Sequence, residues 1–94
     1  MSILSLFHIE VHPEQEQAFV ADFMATLPIA LKQKGLKSAS AYTPVGEKQK
    51  YLLITEWDNE ESIRAWMEVP DHKKVIAKAG QYVKDYRIKR YSPK

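Results

Sequence analysis

Ninety-four residues, 45% hydrophobic and 28% charged, make an ordinary globular composition and exclude a disordered chain. The formal charge of +2 is too small to demand a nucleic acid or an anionic membrane as partner. The absence of cysteine removes disulfides, thiolate metal sites and a cysteine nucleophile. The length suits one domain spanning residues 1–94. No apolar run approaches the roughly 18–20 residues of a membrane span, and the start, MSILSLFHIE, lacks the basic segment of a secretion signal. A cytoplasmic location is therefore expected.

Ile3–Val11 reads as the first strand, with Ile3, Phe7, Ile9 and Val11 on one side and Leu4, Leu6, His8 and Glu10 on the other. Pro13 suits the first helical position, and Glu14 and Glu16 complement the positive helix N-terminus. Phe19, Phe23, Leu27, Ala30 and Leu31 recur at helical spacing, with Gly35 as the left-handed stop. Pro28 lies inside this helix, so a kink or break is expected there, with the Met24 carbonyl left free.

Leu36–Tyr42 reads as a second strand, Thr43–Lys50 as a hairpin connection and Tyr51–Trp57 as a third strand with apolar residues on both faces. Asp58, with Glu61 three residues on, has the pattern of a capping box. Ile63, Trp66 and Met67 make the inward face of the short helix that follows. Pro70 starts another helix, which carries His72, Val75, Ile76 and Ala79 on one side and is expected to end at Gly80. Gln81–Tyr91 reads as the last strand.

The order β-α-β-β-α-β predicts a ferredoxin-like α+β fold with a four-stranded antiparallel sheet. Both helical segments then pack on one sheet face. The other would leave Leu4, Leu6 and one side of the third strand in water. Covering several hundred Å2 of apolar surface at about 25 cal/mol per Å2 is worth several kcal/mol. A homodimer through that face is expected.

The run LLITEWDNEESIRAWMEVPDHKKV, Leu52–Val75, resembles the antibiotic biosynthesis monooxygenase (ABM) family: a hydrophobic strand ending in Trp, an acidic helix carrying a second Trp, and a following helix led by a His. The resemblance implies a dimeric α+β barrel, in agreement with the strand patterning. It also implies either a cofactor-free oxygenase acting on phenols or quinols, or a heme-degrading enzyme. Heme-degrading members place a Trp at the position of Trp66, a His near that of His72 and an Asn on the first strand at the position of Phe7. Phe7 cannot supply the polar contact of that Asn, so no cofactor is expected, and a heme-degrading monooxygenase is kept as the less favoured alternative.

The expected function is a cofactor-independent monooxygenase acting on a small aromatic substrate of quinol or phenol type. His72 would be the base, Trp66 would orient the ring through its indole N–H, and Phe7, Phe23 and Trp57 would bind it. The alternative is a dimeric small-molecule-binding or interaction module without catalysis. On that reading Trp66 and the phenylalanines are core residues and His72 is a structural histidine bonded to backbone. His8, Glu10 and His12 lack a second ligand cluster, and no metal site is expected. The basic last strand, with Arg87, Lys89 and Arg90, reads as a charged edge rather than a nucleic-acid face.

Overall fold

The computed structural model describes residues 2–94. The chain runs through β1 (Ile3–Val11), a 3-10 turn (Pro13–Gln15), α1 (Glu16–Leu31), β2 (Leu36–Tyr42), β3 (Lys50–Trp57), α2 (Glu60–Met67), α3 (Pro70–Tyr82) and β4 (Val83–Tyr91). The strands form one sheet in the order β2-β3-β1-β4, antiparallel throughout. Each helical crossover links two parallel strands across an intervening one, which is the ferredoxin-like arrangement. Among the described residues no helix is long and apolar enough to cross a membrane.

The register defines the two faces. Phe7 pairs with Leu53 and Ile88, Ile9 with Tyr51 and Tyr86, and Ile3 with Trp57. These side chains share the face under the helices. The core lies there: Val11 and Trp57 are 1% and 2% exposed, and Ile9, Ile63 and Tyr82 are also buried. Leu4, Leu6, His8 and Glu10 point the other way with Leu52 and Ile54. That face has no helix on it, and Leu4, Tyr42 and Tyr91 stand exposed at its margins.

Three local expectations give way to tertiary contacts. α1 runs through Pro28 without interruption. Pro28 and Met24 both lie on the exposed side of the helix, so the carbonyl that loses its N–H partner faces water. α2 is capped by Asn59, not Asp58. The Asn59 side chain accepts from the Ser62 N–H at 2.9 Å and the Ser62 hydroxyl at 3.1 Å, while the Asp58 N–H is already donated to the Gly35 carbonyl at 2.7 Å. α3 passes through Gly80 to Tyr82, because Tyr82 is buried, donates its hydroxyl to Asp22 and accepts the His12 N–H at its carbonyl, 2.8 Å away. β4 accordingly starts at Val83 rather than Gln81.

Gly35 and Gly80 therefore have opposite roles. Gly35 has φ +91° and its carbon sits where an added Cβ would lie 2.0 Å from the Ser62 hydroxyl, whereas nothing lies within 4 Å of a Cβ added at Gly80. Gly35→Ala is expected to lower the unfolding free energy by about 2 kcal/mol or more, from left-handed strain plus the clash. Gly80→Ala is expected to raise it by about 0.5–1 kcal/mol, because alanine is the better helix former. Urea midpoints at unchanged m-value measure both.

Candidate functional site

α2 ends at Met67 and Pro70 opens α3 after two intervening residues, so the chain turns sharply and sets Trp66 against His72. The indole and imidazole rings stack with centroids 4.0 Å apart and planes 15° from parallel. The Trp66 carbonyl, one of the acceptors left over at a helix C-terminus, receives the Val69 N–H at 3.1 Å and lies 3.1 Å from His72 Nδ1. A carbonyl only accepts, so Nδ1 carries the hydrogen and the neutral ring keeps its lone pair on Nε2. Both side chains are half-buried. Burial pushes the His72 pKa below the usual histidine value, and the bond to the Trp66 carbonyl opposes this more weakly. The pair thus presents a neutral base in a fixed tautomer beside an aromatic surface.

The other residues singled out in the sequence are not gathered around this pair. Trp57 is in the core, 2% exposed, with its indole N–H donated to Thr55 Oγ1 at 2.9 Å. A ligand reaches it only if the core repacks. Phe7 lies mid-sheet on the helix side, with the Tyr86 ring edge-on at 6.0 Å. Phe23 lines a different cavity, of about 210 Å3, between α1 and β2–β3. Phe19, Tyr51 and Leu53 line it too, whereas Phe7, Trp66 and His72 do not.

Tyr51, which lines that cavity, makes a polar contact that sequence reasoning missed. The Tyr51 hydroxyl donates to Glu16 Oε2, and the Gln49 side-chain amide donates to Glu16 Oε1 at 3.2 Å. The bond from Tyr51 holds the Glu16 pKa below the usual carboxylate value. Burial, helped by the same carboxylate, pushes the Tyr51 hydroxyl up to about 12. The available signal was spacing: Glu16, Phe19 and Phe23 lie at i, i+3 and i+7, which puts the carboxylate on the aromatic stripe. On the open sheet face, a groove of about 500 Å3 is lined by His8, Glu10, Lys50, Asp85 and Arg87 among others. No group of three or more His, Asp or Glu side chains placed to hold a metal ion occurs among the described residues.

An α+β sandwich with helices on one sheet face and an aromatic–histidine pair at the α2–α3 turn defines a class before it defines a protein. The sequence matches the family model for antibiotic biosynthesis monooxygenase over residues 2–78, and the chain belongs to that family. A comparison with curated proteins returned no match. Among solved structures, a conserved protein from Methanosarcina mazei Go1 is 20% identical with a TM-score of 0.93, covering 100% of this chain and 94% of that one. Rv0793 from Mycobacterium tuberculosis is 13% identical with a TM-score of 0.92, covering 100% and 96%. A Deinococcus radiodurans protein, provisionally assigned as an antibiotic biosynthesis monooxygenase, is 14% identical with a TM-score of 0.88, covering 98% and 92%. At these identities the likeness establishes the fold.

The state of His72 is directly measurable. Its ring resonance should titrate with a midpoint below 6.5, the unperturbed value. Because the fold favours the neutral ring, the unfolded chain binds more protons between the two pKa values. Stability should therefore be full above about pH 6.5 and fall as pH drops toward the folded-state value. His72→Gln should flatten that part of the stability profile.

Proposed function

We propose that this chain is a cofactor-independent monooxygenase that oxidises a small phenol- or quinol-type substrate, with His72 as base and Trp66 as the orienting surface. The observation that carries the reading is the His72 ring, held by the Trp66 carbonyl through Nδ1 so that Nε2 is bare. A phenolic substrate becomes reactive toward oxygen once its hydroxyl proton is removed, and a neutral imidazole of lowered pKa is suited to accept that proton near neutral pH. For a quinol, one oxygen atom enters the ring and the other leaves as water with two of the substrate's hydrogens. The product is a hydroxyquinone, and the substrate itself is the reductant. Family membership supports the reaction class.

The reading includes no heme. His72 lies flat against Trp66, an apolar Phe7 occupies the first-strand position, and the helix-side cavity of about 210 Å3 is below the roughly 300 Å3 that a drug-sized ligand needs. A second reading, a binding module without turnover, draws support from the same stack, since the imidazole covers one face of the indole. We also infer a homodimer through the open sheet face, where Leu4, Tyr42 and Tyr91 are exposed.

Oxygen consumption with a panel of quinols decides between the two readings. Turnover is expected, and His72→Ala should lower it by about 100-fold or more, the usual contribution of a general base. No uptake with any member favours the binding module. Light scattering at micromolar concentration should give twice the chain mass of 10.9 kDa, and a monomer mass would refute the dimer.

A further inference from the structure

The open sheet face is not apolar throughout. Toward the β2–β3 connection it carries the groove of about 500 Å3, lined there by Pro44, Glu47 and Leu52. Four ionisable side chains line it from two adjacent strands. His8 stands opposite Arg87, and Glu10, two positions further along β1, stands opposite Asp85. The groove thus has a basic half and an acidic half on one face.

Protection of a sheet edge does not explain this arrangement. It accounts for charges on β4, but His8 and Glu10 belong to β1, an inner strand. Two carboxylates directly opposite each other also disfavour the fold by repulsion. Lys50 flanks Glu10 on β3 but is drawn to Glu47, at 2.8 Å. Among the described residues Glu10, Asp85 and Arg87 take part in no ion pair. Asp85 accepts the Tyr86 N–H through Oδ1 at 2.9 Å, which leaves Oδ2 for another donor.

The spacing suits one small zwitterion. Residues i and i+2 of a strand lie roughly 7 Å apart. The ammonium nitrogen and carboxylate carbon of an α-amino acid are about 2.5 Å apart through their shared carbon. Charge-assisted hydrogen bonds of about 2.8 Å extend that reach at either end. Leu52 and Pro44 offer an apolar wall to an aliphatic side chain, and the volume is within the usual range of small-molecule sites.

We propose that this groove binds a free α-amino acid with an aliphatic side chain, its carboxylate on Arg87 and His8 and its ammonium between Glu10 and Asp85. Trp66 and His72 do not line the groove, so the site is independent of the proposed oxidation. Leu4 and Tyr91, paired at the other end of β1, mark the apolar end on which a second subunit would sit.

The test is titration of the full chain with L-leucine, 4-methylpentanoate and isopentylamine, followed in amide NMR spectra. The last two are leucine without its ammonium and without its carboxylate. Saturable shifts at His8, Leu52 and Arg87 are expected with L-leucine. Its Kd should be about millimolar, because the groove is open to water. Either analogue should bind about fivefold or more weakly, the scale of one solvent-exposed ion pair. Arg87→Gln should reduce leucine binding to the level of isopentylamine, and Glu10→Gln combined with Asp85→Asn to that of 4-methylpentanoate. Arg87 is exposed, so its replacement leaves the fold intact. Absence of saturable shifts with L-leucine, shifts centred on Phe19 and Phe23, equal affinity for a single-charge analogue, or undiminished binding in the Arg87→Gln chain would each overturn the proposal.

Discussion

The docking of α1 is the interaction on which the rest of the structure depends. Phe19 meets Phe23 on its own helix, Tyr51 from β3 and Tyr82 from α3. On either side of it, Glu16 and Asp22 accept the hydroxyls of the same two tyrosines. Two aromatic contacts and two carboxylate bonds thus tie a single helix to the centre of the sheet and to the end of the last helix. Tyr82 transmits that constraint: anchored to Asp22, it carries α3 past Gly80, and its carbonyl takes the His12 N–H just beyond β1. The start of β4, and its bulge opposite Glu10 and Val11, follow from where Tyr82 is held.

The opposite sheet face obeys a different constraint. Two crossovers of the same hand place every helix on one side, so the other side keeps its leucines and isoleucine without a cover from the chain itself. This division separates the roles of the two faces. The Trp66–His72 stack and the α1 cavity both belong to the helix layer. A second subunit laid on the open face would leave each of them accessible.

Both of these helix-layer features join an aromatic surface to a polar group whose hydrogen bonding is already specified. His72 is held by a helix-terminal carbonyl, which decides its tautomer. Tyr51 is held by a carboxylate: burial, with that bond, keeps its hydroxyl protonated, and the bond favours the ionised carboxylate. Among the described residues no buried side-chain polar atom lacks a partner, as expected where the interior is apolar and an unpaired group would cost several times what a made bond contributes.

By itself, the sequence determined the element order, the extents of β1 and β2, the proline starts near Pro13 and Pro70, and the succession of Trp66 and His72 on two helices joined by a short turn. These are local properties: strand alternation, helical spacing and proline geometry act within a few residues. Tertiary structure alone decided the passage of α1 through Pro28, the extension of α3 through Gly80 and the choice of Asn59 over Asp58 as cap. Each was settled by solvent or by a partner distant in sequence. The same holds for the Tyr51–Glu16 contact, made across 35 positions, and for the placement of Phe23 in a cavity apart from His72. Spacing says which residues share a helix face, but only packing says which element that face meets.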